Sequence, residues 1–141
     1  MFFVFIGPRS THSYITPRVV EICSFKKLNH NKSWLVQLAT GTKRKVSEVV
    51  EKCPLVMDGL VTYADPNVLP LGSYDVLIGM DWLEVHKVKI DYYHKTFKCM
   101  DEGNPRVVRG IQKVISVKKL SAMQLKKFCR KGFRLYATRV F

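Results

Sequence analysis

Through the first hundred residues, no apolar run lasts beyond a short strand before a turn former cuts it off. Phe2 to Ile6 ends at Gly7-Pro8, and Trp34 to Ala39 ends at Thr40-Gly41-Thr42. Arg44 to Val50 then returns, which predicts a hairpin with Gly41 near its tip. Pro54 to Met57 stops at Asp58-Gly59, a strong turn signal, and Leu60 to Tyr63 resumes. Asp75 to Ile78 closes on Gly79. Val88 to Asp91 and Thr96 to Met100 form a further hairpin around Tyr93-His94, and Val107 to Ile111 reads as another strand. Ser13 to Ile22 fits a strand end or a short helix. A short helix is predicted from Met80 or Asp81 to near His86, with Asp81 complementing the free N–H groups of its first turn. A second helix, Ser121 to Lys131, has Ser121 as N-cap, one face of Leu125, Phe128 and Cys129, and Gly132 at its end. Phe133 to Val140 reads as extended. This pattern predicts a small, mostly β domain.

The chain has 141 residues, 47% of them apolar, enough for one domain with a real core. The apolar stretch at Phe2–Ile6 is far shorter than a membrane span requires. No secretory leader is read, so an intracellular, cytoplasmic protein without membrane contact is expected. Cys23, Cys53, Cys99 and Cys129 are widely spaced, with no C-x-x-C pair. They read as buried free thiols, not zinc ligands, and neither a metal nor another cofactor is expected.

The net charge of +13 is unevenly distributed. Residues 1–103 carry 13 Lys and Arg against all 11 Asp and Glu, whereas residues 104–141 carry 11 Lys and Arg and no acid. The turn-rich stretch Asp101-Glu102-Gly103-Asn104-Pro105 marks the expected boundary between a domain at 1–103 and a basic α/β linker segment at 104–141. Unopposed cations interleaved with Phe128, Phe133 and Tyr136 make residues 106–139 a candidate nucleic-acid contact; a solvated linker explains the same charges.

One segment is far more specific. Residues 68–91, VLPLGSYDVLIGMDWLEVHKVKID, contain Tyr74-Asp75-Val76-Leu77-Ile78-Gly79-Met80-Asp81-Trp82-Leu83 and then Ile90-Asp91. This run closely resembles the second half of the retropepsin-like aspartic protease domain of gypsy-type LTR retrotransposon polyproteins. The resemblance implies a small acid-protease barrel with one short helix. In it, Leu77, Ile78 and Gly79 form a strand passing beneath the catalytic loop, with Gly79 as the pivot into the helix. Thr40, Gly41 and Thr42 fall at the flap tip. The segment from Gly103 onward resembles the linker toward a reverse transcriptase.

The resemblance also sets the register of the catalytic loop. Ser10-Thr11-His12-Ser13-Tyr14-Ile15 matches the segment that follows the family's Asp-Ser/Thr-Gly, so the three catalytic-loop positions hold Gly7, Pro8 and Arg9. Family members are dimers in which each chain supplies one Asp, and the paired carboxylates share a proton while activating water. Gly7 offers no carboxylate. Pro8 offers neither hydroxyl nor N–H. Arg9 brings a large charged group where none is expected, so either the loop refolds or the guanidinium reaches solvent. Each replacement lies one base change from the family residue, and the family has further strands upstream of Phe2, so the chain reads as a decayed, amino-terminally truncated remnant. Gly7, Pro8, Arg9, Ser10 and Thr11 thus form a degenerate catalytic loop with no catalytic residue.

Among other acids, Asp58, Asp75 and Asp81 are the candidate substitutes, but none follows an apolar strand into such a loop. Ser10 or Ser13 with His12 is a weak hydrolase pair, lacking a third member. His30, His86 and His94 read as solvated or core residues. The expected function is a retropepsin-like domain without proteolytic activity, homodimeric, with a polypeptide as the family's substrate. The alternatives are an active aspartic endopeptidase processing a Gag-Pol polyprotein, and a non-enzymatic basic module binding nucleic acid or a protein partner.

Overall fold

The computed structural model describes residues 2–38, 41–72, 74–110 and, for the backbone alone, 133–140. The predicted helix at Ser121–Lys131 and residue Cys129 lie outside these. Twelve strands and two short helices follow in chain order: β1 (Phe2–Ile6), β2 (Tyr14–Ile15), α1 (Pro17–Cys23), β3 (Leu28–Gln37), β4 (Lys43–Val49), β5 (Cys53–Met57), β6 (Leu60–Ala64), β7 (Asn67–Val68), β8 (Val76–Ile78), α2 (Met80–Leu83), β9 (Lys89–Asp91), β10 (Thr96–Asp101), β11 (Asn104–Arg109) and β12 (Phe133–Val140).

The mostly β character follows the turn signals. At Asp58-Gly59 both residues have positive φ, 47° and 80°, as a type I′ turn requires, and β5 and β6 pair antiparallel across it from Met57↔Leu60 to Cys53↔Ala64. Their residues alternate between core and surface, the period-two signature of a sheet with one buried face. Glu102-Gly103 makes the same kind of turn, with φ of 51° and 81°, between β10 and β11. The Asp101–Pro105 stretch is therefore a hairpin tip, and the break in charge there is not a break in the sheet.

Three details depart from expectation. The strands do not close into a barrel: nine of them form an open sheet in the order β3-β4-β7-β2-β8-β1-β12-β5-β6, and β11-β10-β9 form a second sheet. Where the resemblance implied one helix there is a second, α1, in the stretch Ser13–Ile22 that the sequence left open between a strand end and a short helix. Pro17 starts it with φ already set for a helix, and Ser24 ends it in a left-handed conformation at φ 55°. The helix after Gly79 is shorter than predicted, ending at Leu83 with turns through residue 87.

Both sheets share one core. Val4, Ile6, Ile15, Leu55, Ile78 and Phe97 are all fully buried in a single cluster. Trp82 of α2 lies within it, donating from its indole Nε1 to the Thr62 hydroxyl at 3.1 Å and meeting Phe97 edge-on at 6.0 Å. Cys53 and Cys99 are buried free thiols, and Cys23 is half-buried. Burial pushes the Cys53 thiol up to about 12, so it stays protonated and chemically inert.

Truncating Phe97 to Ala should cost about 3–5 kcal/mol, because a cavity remains where both sheets meet. Tyr93→Ala, on a side chain 88% exposed at the β9–β10 turn, should stay within about 0.5 kcal/mol. Urea unfolding of the two variants measures the contrast. Similar midpoints for both would contradict the shared core.

Candidate active site

The chain after β1 makes a loop, residues 7–13, and returns as β2. Strand β8 lies between the two, parallel to β1 (Phe5↔Leu77, Ile6↔Ile78) and antiparallel to β2 (Tyr14↔Leu77). The loop therefore sits over the end of β8, and Leu77, Ile78 and Gly79 are all brought to it.

Gly7-Pro8-Arg9-Ser10 is a tight β-turn, closed by the Ser10 N–H donating to the Gly7 carbonyl at 3.0 Å. Pro8 occupies the second position of that turn, where its fixed φ is favoured. The Gly7 N–H donates to the Ile78 carbonyl at 2.8 Å, so the loop stays anchored to β8. The Arg9 side chain is exposed. Of the two outcomes expected for Arg9, the loop keeps its anchors and the guanidinium reaches solvent.

Behind the turn, the loop backbone lies directly on Gly79. A Cβ there would come within 2.3 Å of the His12 carbonyl oxygen and 2.8 Å of the Ser10 carbonyl oxygen. The Gly79 backbone itself, at φ −102° and ψ −171°, is ordinary extended chain. Glycine is required here by the close approach of two backbones, not as a conformational pivot. Hydrogen bonds lock the crossing. The Met80 N–H donates to the Ser10 carbonyl at 2.7 Å, and the Gly79 N–H donates to the Ser13 hydroxyl at 2.9 Å. Ser13, fully buried, donates in turn to Asp81 from its hydroxyl at 2.6 Å and from its N–H at 2.9 Å.

The candidate acids are thereby accounted for. Asp81 braces Ser13 and also accepts from the Trp82 N–H at 2.8 Å. Asp75 accepts from the Phe3 N–H at 2.7 Å, and Asp58 from the Arg109 N–H at 3.0 Å. The serine–histidine reading also dissolves. The Ser10 hydroxyl donates to the His12 backbone carbonyl at 2.7 Å, and Ser13 points to Asp81, so neither addresses an imidazole. His30 Nε2 meets Asn67 Oδ1 at 2.7 Å, His86 stacks on Trp82 at 4.1 Å, and His94 Nδ1 lies 2.7 Å from the Asp91 carboxylate.

The β3–β4 hairpin reaches over the loop. Gly41 turns it with φ +87°, and the Leu38 N–H donates to the Thr42 carbonyl at 2.8 Å. Thr40 lies outside the described residues. Between the hairpin and the loop lies a cleft of about 290 Å³, walled by Phe5, Leu38, Leu69, Leu71 and Leu77, with Gly7, Arg9 and Ser10 at its loop side. Tyr14 also lines it, and burial pushes its hydroxyl upward against a hydrogen bond with Trp34 that pulls it down. All eleven acidic residues of the chain are among those described, and none lines this cleft. A second, more open and polar depression of about 640 Å³, with His12, His30, Glu51, Asp65 and Asp81, lies at the loop's other side. No group of three or more His, Cys, Asp or Glu among the described residues is placed to hold a metal ion, and no described helix is long and apolar enough to cross a membrane.

Two strands flanking a loop, a glycine-crossed strand beneath it and a hairpin above it frame the cleft. A family model described as retroviral aspartyl protease matches residues 3–104, well over half of the chain. The chain belongs to the retroviral aspartyl protease family. A comparison with curated proteins finds no match. The sequence placed Asp81 at the helix start, where it accepts from the Trp82 N–H, but it did not pair Asp81 with Ser13 or set Leu69 and Leu71 on the cleft. Leu69-Pro70-Leu71 carried a signal, since its alternation puts both leucines on one face.

Gly79→Ala should destabilise the domain by about 1–3 kcal/mol or more, because the carbonyls it meets belong to backbone and cannot swing aside. Gly41→Ala meets open space and suffers only from its positive φ, so it should cost about 1 kcal/mol. Thermal unfolding of the pair checks the ranking; a Gly79→Ala domain as stable as Gly41→Ala would refute the backbone crossing.

Proposed function

We propose that this chain is a retropepsin-like domain, of the kind carried by gypsy-type LTR retrotransposon polyproteins, in which the peptide cleft persists and proteolysis is lost. The observation that carries this reading is the acid-free cleft: Gly7 stands at the loop position where the family places its aspartate, and no other carboxylate faces the cleft. A dimer built from two such loops has no carboxylate to share a proton or to activate water. The nearest acid of the loop frame, Asp81, is spent on Ser13 and Trp82.

The repair of the loop is sterically open. The nearest atoms to a Cβ on Gly7 would be side-chain atoms of Leu77, at 3.3–3.6 Å, which can yield by a few tenths of an ångström. A peptidase assay at mildly acid pH, with pepstatin as control, therefore compares the natural chain with a Gly7→Asp, Pro8→Ser, Arg9→Gly triple variant. Activity is expected only in the variant, and it should rise steeply with protein concentration, since the proposed dimer supplies one aspartate per copy. Pepstatin-sensitive cleavage by the natural chain would overturn the reading.

A second reading is favoured by the 11 cations of residues 104–141, which no acid in that segment opposes. On this reading, residues 106–139 contact nucleic acid. The affinity for duplex DNA should then fall linearly on a log–log plot against salt, with a slope near −0.9 per phosphate neutralised. Replacing Lys126, Lys127, Arg130 and Lys131 by Gln should flatten that slope. An unchanged slope would remove this reading.

A further inference from the structure

We propose that the cleft beneath the β3–β4 hairpin binds the carboxyl terminus of a peptide ending in a large apolar residue, with Arg9 holding the terminal carboxylate. The inference rests on the non-proteolytic reading above and names the ligand class of the same cleft.

Three features of the cleft converge on this chemistry. First, its walls are apolar: Phe5, Leu38, Leu69, Leu71 and Leu77 offer a dry surface to one large side chain. Second, Arg9 lies at the loop side of the cleft and makes no ion pair or hydrogen bond among the described residues. With no acid in the lining, its charge is unopposed, so the cleft selects an anion and repels an amine. Third, the volume of about 290 Å³ is at the lower limit for small-ligand sites. It suits one residue and its own backbone better than an extended segment running through. The anion must then be on the same residue as the apolar side chain, which is what a peptide carboxyl terminus provides.

The side-chain chemistry fits. A guanidinium presents a planar fork of N–H donors that matches both oxygens of a carboxylate. Apolar walls lower the local dielectric and strengthen the pairing relative to open water. The β-turn aids this arrangement, because Pro8 fixes the residue before Arg9 and reduces the freedom the arginine must give up. The substitution that removed the small residue of a catalytic loop thus placed a carboxylate receptor at the mouth of an apolar slot.

The test uses the full chain and fluorescence anisotropy with three labelled peptides: Gly-Gly-Ser-Gly-Phe with a free carboxyl terminus, the same peptide as its terminal amide, and Gly-Gly-Ser-Phe-Asp-Gly as its amide, which carries an internal carboxylate. The free acid should bind about three- to tenfold tighter than the amide, the range spanned by exposed and partly desolvated charge pairs. Arg9→Gln should abolish the difference, and Arg9→Lys should keep part of it. Arg9 is exposed, so these variants should retain the far-ultraviolet circular dichroism of the natural chain. Equal binding of acid and amide, no binding of either, or a preference that survives Arg9→Gln would overturn the proposal. Tight binding of the internal-Asp peptide would overturn its restriction to the terminus. Pepstatin-sensitive cleavage of these peptides would instead sink the non-proteolytic reading, so the two failures are separable.

Discussion

Everything in the site depends on the contact between the backbone of residues 10–13 and Gly79. Two chain segments cross so closely there that a single methyl group would collide with the His12 carbonyl. The crossing fixes where β1 enters the loop, where β2 leaves it, and how α2 departs from β8. It also explains the adjacent polar residues. Bringing two backbones into contact away from water leaves N–H groups that must find acceptors. Ser13, Asp81 and the Ser10 carbonyl supply those acceptors within about 3 Å, and Asp81 gains a further bond from Trp82.

This bracing is separate from the loop's tip, so the shape of the loop does not depend on the side chains at the tip. Gly7, Pro8 and Arg9 contribute only backbone to the architecture: one hydrogen bond to Ile78 and one turn closed by Ser10. A glycine, a proline and an arginine satisfy those needs. The proline suits the second position of a β-turn, so a residue that reads as hostile to catalysis is favourable to the local fold. The groups that do hold the loop are the Ser13 hydroxyl, the Asp81 carboxylate, the Ser10 carbonyl and the bare backbone of Gly79. Selection on the fold and selection on the chemistry act on different residues here.

Much of the fold was legible before any coordinates. Asp58-Gly59 and the Tyr93-His94 turn announced their hairpins. What was not legible depended on long-range partners. β3 begins at Leu28, six residues before the apolar run that signalled it, because Leu28 and Asn29 pair with Val49 and Glu48 of β4 ahead of a register shift that ends at Trp34. The Asp81–Ser13 brace spans 68 positions and has no local signature. Gly79 was marked, but for the wrong reason, since a sequence cannot separate a glycine needed for φ from one needed for space. The tip at Glu102-Gly103 has the same composition as a linker, and only its φ values and strand partners distinguish them. That no acid lines the cleft required the structure.

The persistence of the cleft follows from how its walls are used. Tyr14, Val46 and Leu69 form a second buried cluster, against which Trp34, Val36, Leu38, Leu71 and Leu77 pack. The same side chains that line the cleft fasten the β3–β4 hairpin to the sheet. Replacing any of them by a small or polar residue would cost hydrophobic stabilisation of roughly 1.5–3 kcal/mol, a large share of the margin that keeps a domain of this size folded. Catalytic carboxylates carry no such protection, since a dyad contributes repulsion and desolvation to the ground state rather than packing. The apolar slot is therefore held in place by the same packing that holds the hairpin to the sheet, with Arg9 as the charged residue at its loop side.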